Sequence, residues 1–119
     1  MSEKILLVDD DLNNLAVLAR FLRTEGYEVA EASDGSEAVR LLEKNHFDLV
    51  VSDVIMPGVN GLQLLDCVRS VAPNTRVLFM SGFPSVDRTH MIDRQRTDLI
   101  MKPFDVRDLL SKVKLALER

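Results

Sequence analysis

The chain contains a single cysteine, Cys67, so it closes no disulfide within itself, which suits a reducing compartment. No apolar run reaches bilayer-spanning length. The opening Met1-Ser2-Glu3-Lys4 lacks the apolar stretch of a signal peptide, and a cytoplasmic protein is the expectation. Positive charge is also in the minority. With 15 Lys and Arg against 19 Asp and Glu, the formal charge of −4 gives bulk electrostatics no hold on nucleic acid or an anionic membrane. Repeats, linkers and low-complexity tracts are missing as well. What remains is 119 residues with an ordinary globular balance, 46% hydrophobic and 29% charged, read as one domain over residues 1–119 with one core.

The most telling stretch is Phe47-Asp48-Leu49-Val50-Val51-Ser52-Asp53, an apolar run with β-branched residues that Pro57-Gly58 soon stops. It reads as a strand buried on both faces that carries Asp53 to its carboxyl end. Further strands are expected at residues 4–9, 76–81 and 99–101, with a more polar edge strand at 27–32. A first helix should run from Asp10-Asp11 to about Glu25, burying Leu12, Leu15, Leu18, Ala19 and Leu22, with Gly26 ending it and Asp11 capping it. The turn Ser33-Asp34-Gly35-Ser36 caps a second helix that buries Ala38, Leu41 and Leu42. A third helix spans residues 61–71, where Cys67 reads as packing, and Asp105 caps a last one that buries Val106, Leu109, Leu110, Val113 and Leu117. Residues 85–96 should also be helical, but with few apolar positions and three arginines, so this helix is expected to be short, loosely packed or displaced.

Five strands alternating with five helices describe an α/β domain, a doubly wound parallel sheet in the order 2-1-3-4-5, the flavodoxin-like arrangement. In that order four adjacent strands end in polar residues: Asp9 with Asp10, Asp53, Ser81 and Lys102. All should meet on one rim. Three carboxylates held this close repel one another and call for a cation, and hard oxygen ligands suit Mg²⁺. The chemistry that fits is phosphoryl transfer to a carboxylate, with Asp53 as nucleophile and with Lys102 and the Ser81 hydroxyl satisfying phosphoryl oxygens.

The motifs Ile5-Leu6-Leu7-Val8-Asp9-Asp10, Asp34-Gly35-Ser36-Glu37-Ala38, Asp53-Val54-Ile55-Met56-Pro57-Gly58, Met80-Ser81-Gly82 and Lys102-Pro103-Phe104 resemble, in this order, the receiver domain of two-component response regulators. The resemblance implies that Asp53 is the phosphoacceptor and Asp10 a direct magnesium ligand. It further implies that Asp9 acts through water and that the backbone carbonyl of Ile55 completes the metal set. It implies a cis bond before Pro103 and a donor phosphohistidine on a histidine kinase or histidine phosphotransfer protein. Such a domain catalyses only its own phosphorylation and dephosphorylation, and signals to a downstream protein target. No output domain is expected after the last helix, and a free-standing regulator, a phosphorelay shuttle and a receiver excised from a hybrid kinase are all open.

Two departures stand out. Receivers usually carry an aromatic three positions before the lysine, and here that position is Leu99; the segment before it, 93–98, also lacks the small residues and glycine common there. Signalling is therefore expected through another surface, or through ordering of residues 85–96. Ile55 and Phe83, each two positions beyond a site residue, are apolar and cannot orient hydrolytic water, so a long-lived phosphoryl group is expected. Two rival readings remain. In a haloacid dehalogenase-like phosphatase, Asp9 is the nucleophile and Asp11 the acid, with Ser81 and Lys102 fitting later motifs, but the later acidic pair and the cap domain are lacking. The other rival is a receiver-fold binding module that never takes phosphate.

Overall fold

Residues 5–8, 49–51 and 77–80 are apolar throughout, and each is wholly or almost wholly buried because helices cover both faces of the strands that they form. In a computed structural model, residues 3–54, 61–81 and 97–118 are described. The elements run β1 (Lys4–Val8), α1 (Leu12–Thr24), β2 (Glu28–Ala32), α2 (Gly35–Lys44), β3 (Leu49–Asp53), α3 (Gly61–Val71), β4 (Arg76–Ser81), β5 (Thr97–Met101) and α4 (Val106–Glu118). The five strands form one parallel sheet in the expected order β2-β1-β3-β4-β5. Four helices lie among the described residues. The fifth expected helix, at 85–96, falls outside them, as do Ile55, Phe83 and the Pro57-Gly58 turn.

Alternation along the strands divides the core in two. Leu6, Val8, Val50, Val77 and Phe79 face α2 and α3. Ile5, Leu7, Val51, Leu78 and Met80 face α1 and α4. The helix boundaries follow from local chemistry. Asp11 accepts from the backbone N–H groups of Asn13 and Asn14 at the start of α1, and Gly26 beyond its end takes φ 95°, a left-handed conformation that a side chain would strain. Asp34 accepts from the Glu37 N–H at 2.7 Å, while the Glu37 carboxylate accepts from the Ser33 N–H at 3.0 Å. Asp105 accepts from the Asp108 N–H at 3.0 Å.

Four expectations need adjusting. Leu12 is 66% exposed and does not belong to the buried stripe of α1, because it is the first residue of the helix, directly after the Asp11 cap, and the stripe begins at Leu15. Leu41 is only partly buried, and on α4 Ala116 joins Leu109 and Val113 as the buried face while Val106, Leu110 and Leu117 are only partly buried. The last strand starts at Thr97 rather than Leu99. Cys67 sits partly buried on α3, where burial and then the Glu43 charge push its thiol pKa up, so it stays a packed thiol. Among the described residues no helix is long and apolar enough to cross a membrane.

Candidate functional site

Parallel strands in register deliver their carboxyl ends to one rim. Val8 pairs with Ser52, Asp53 with Met80 and Ser81 with Met101, so Asp9, Asp53, Ser81 and Lys102 occupy consecutive steps along it. Backbone bonds continue the ladder past the strand ends and fix these positions. The Asp9 N–H donates to the Ala32 carbonyl at 3.1 Å, that of Val54 to Met80 at 3.1 Å and that of Lys102 to Ser81 at 2.6 Å. The bond between Lys102 and Pro103 is cis, as the resemblance implied.

The three consecutive aspartates occupy different environments. Asp9 is fully buried. One of its oxygens accepts from the Asp11 N–H at 3.0 Å and the other from the Asn14 side-chain amide at 2.6 Å. Asp10 is exposed, and Asp11 is the cap of α1. One carboxylate oxygen from each of Asp9, Asp10 and Asp53 lies within 4.8 Å of the other two. Lys102 Nζ donates to both oxygens of Asp53, at 3.1 and 2.9 Å. Ser81 is buried at the end of β4.

A single ammonium against three carboxylates leaves the cluster negative. Burial pushes the Asp53 pKa above its ordinary value of 3.8; the hydrogen bond and charge of Lys102 pull it down, and Asp9 pushes it up again. The balance is upward, so burial and the acidic neighbour outweigh the lysine. A group of carboxylates with no nitrogen or sulfur donor among them fits a hard divalent cation such as Mg²⁺, which would compensate the buried Asp9 charge that Lys102 leaves unmatched.

Every sequence-predicted site residue among the described residues reaches this rim. The Ile55 carbonyl lies outside them. Sequence reasoning missed Asn14. The clue was available: an amide on the first turn of the helix that Asp11 caps faces back toward the end of β1. Beside Lys102 a groove of about 600 Å³ opens between α1 and the start of α4, lined by Asn14, Val17, Phe104 and Val106 among others. Val17 and Phe21, one helical turn apart, are 50% and 42% exposed. Leu99 pairs with Phe79 across β4 and β5 and is buried in the core that faces α2 and α3.

The family model described as response regulator receiver domain matches residues 5–114. The transcriptional regulatory protein PrrA of Mycobacterium tuberculosis is 38% identical over 119 residues, which cover 99% of this chain and 51% of PrrA. The response regulator protein FleR of Pseudomonas aeruginosa is 39% identical over 114 residues, 95% of this chain and 24% of FleR. The chain thus spans about half the length, or less, of these curated relatives. Among solved structures, the receiver domain of the hybrid histidine kinase CckA is similar at 39% identity and a TM-score of 0.83, covering 96% of this chain and 98% of that one. A CheY-like receiver from Methanospirillum hungatei JF-1 is similar at 31% identity and a TM-score of 0.92, covering 99% and 95%.

Proposed function

Because the chain belongs to the response regulator receiver-domain family, we propose that Asp53 accepts a phosphoryl group from a phosphohistidine on a histidine kinase or histidine phosphotransfer protein. The observation that carries this is Lys102 held on both oxygens of Asp53 at the edge of the acidic cluster. An Asp53 oxygen attacks phosphorus, forming an O–P bond. The P–N bond breaks with its electron pair passing to the imidazole, which leaves as the neutral ring when its other nitrogen carries a proton. Lys102 then exchanges an Asp53 oxygen for a phosphoryl oxygen, a short move for a flexible ammonium, and the Ser81 hydroxyl donates to another. Asp9, Asp10 and Asp53, with the Ile55 carbonyl, would hold Mg²⁺, which when bound neutralises charge on the phosphoryl oxygens. Residues 1–119 act as one signalling domain in the cytoplasm, and its only catalysis is the making and breaking of its own aspartyl phosphate.

The groove beside Lys102, with Val17 and Phe21 exposed along α1, offers the donor's histidine-bearing element an apolar approach to Asp53. Phosphorylation would change a surface read by a downstream protein. PrrA is named as a transcriptional regulator, and an output on DNA through residues beyond such a domain is compatible with the same acceptor chemistry. The phosphatase reading fits poorly: Asp9 is fully buried with both oxygens engaged, and Asp11 caps a helix. A module that never takes phosphate would have no use for a lysine set against a cluster of like charges.

Intact mass after treatment with acetyl phosphate, with and without Mg²⁺ and beside Asp53→Asn, tests the proposal. One Mg²⁺-dependent phosphoryl adduct, absent from the variant, is expected. No adduct, or one that survives the substitution, refutes it.

A further inference from the structure

Asp9 is a buried anion with like charges on two sides, and its orientation is not self-evidently stable. Asp10 and Asp53 each bring a carboxylate oxygen within 4.8 Å of one of its own, so a freely turning Asp9 side chain would rotate away from them. Two donors oppose that rotation. The backbone N–H of Asp11, at 3.0 Å, is fixed by the chain itself. The other donor is a side chain, the Asn14 amide at 2.6 Å from the second oxygen. Asn14 is in turn held on the first turn of α1, where its own N–H donates to the capping carboxylate of Asp11 at 3.1 Å. A neutral amide suits this place. A lysine or arginine would lock Asp9 equally well but would cancel the charge that a cation needs.

We propose that Asn14 is a positioning residue that locks the Asp9 carboxylate in the orientation the cation site requires, and so sets the affinity and selectivity of that site for Mg²⁺. The role rests on the reading of Asp9, Asp10 and Asp53 as a magnesium site. Groups that orient a metal's ligands typically change affinity by about 10- to 100-fold when removed. Mg²⁺ demands near-ideal octahedral geometry, whereas Ca²⁺ tolerates irregular, flexible sites. A loosened Asp9 therefore costs Mg²⁺ more than Ca²⁺.

The test measures Mg²⁺ and Ca²⁺ dissociation constants by titration calorimetry on the unphosphorylated chain, for native protein, Asn14→Leu and Asn14→Gln. Asn14→Leu removes the donor at similar volume, and Asn14→Gln keeps an amide. Thermal unfolding without metal checks that each variant folds. Asn14→Leu should lose at least about 10-fold in Mg²⁺ affinity and distinctly less in Ca²⁺ affinity, with Asn14→Gln recovering part of the loss. Unchanged Mg²⁺ affinity in Asn14→Leu overturns the role, as does an equal loss for both ions or for both variants, which would mark Asn14 as a folding residue only. A native chain with no Mg²⁺ affinity overturns both the role and the magnesium reading beneath it, so the two failures are distinguishable.

Discussion

Asp53→Asn should make the metal-free protein more stable near neutral pH, although it deletes an ion pair. Two unit charges no more than 4.8 Å apart interact by at least about 3–4 kcal/mol at an effective dielectric of about 20. That is the scale on which Asp9 repels Asp53; Asp10, being exposed, adds less. Lys102 at 2.9 Å attracts by about 5–6 kcal/mol on the same scale, discounted because its side chain is 31% exposed while that of Asp53 is 14% exposed. The Asp9 repulsion offsets part of the Lys102 attraction, and burial of the charge, the largest effect, decides the sign, in agreement with a pKa raised above 3.8. Asparagine keeps an acceptor for Lys102 and drops the charge, a gain on the order of 1 kcal/mol, or about 3–5 °C in Tm for a chain this size. The pH dependence follows. Because the folded pKa lies above the unfolded one, the native protein has its full stability from this group below pH 3.8 and loses it as pH rises through the raised value. The advantage of the variant should therefore grow across that window and level off above it. Mg²⁺ should shrink or reverse the gap by stabilising the native site. Denaturant titrations across pH, with and without Mg²⁺, would measure it. A variant less stable than native protein at neutral pH without metal, or a gap independent of pH, would refute the reasoning.

Adjacent acids should part in their effects: Asp11→Ala should cost about 1 kcal/mol of stability through the lost cap yet keep Mg²⁺-dependent labelling, whereas Asp10→Ala should lose labelling while folding normally. Loss of labelling in the first variant would revive the phosphatase reading. Val17→Asp with Phe21→Asp should slow transfer from a phosphorylated kinase by about 10-fold or more, a hot-spot loss of at least 1.4 kcal/mol. Labelling by acetyl phosphate should stay intact, and equal slowing of both would show damage to the site itself. Decay of the labelled protein should quicken in Ile55→Asn with Phe83→Glu, and an unchanged half-life would show that these apolar residues do not keep water out. Amide spectra with and without beryllofluoride should show little rearrangement at Leu99, which is buried against the α2 and α3 side of the core, and changes in residues 85–96 instead. The opposite pattern would mean that an ordinary switch operates without the aromatic.

The sheet and the positions of its charged ends were legible because they depend on local, repetitive signals. An apolar run bounded by a turn identifies a strand, and parallel order then brings the carboxyl ends of β1, β3, β4 and β5 together. What escaped depends on where an element sits rather than what it is. Leu12 fits the period of α1, yet it is the helix's first residue and the buried stripe starts only at Leu15, so periodicity alone placed it wrongly. Asn14 escaped for the complementary reason: its role lies in the direction of one amide, and no pattern of hydrophobic spacing records that. The same limit explains why Asp9, Asp10 and Asp11 read as one acidic cluster but do separate work. The backbone turns between the end of β1 and the first turn of α1, sending the first carboxylate into the protein, leaving the second exposed beside Asp53 and folding the third over the helix N–H groups. Three identical side chains thus become an anchored buried anion, an accessible ligand and a cap. Moving that turn by one residue would exchange their roles without changing the composition of the site.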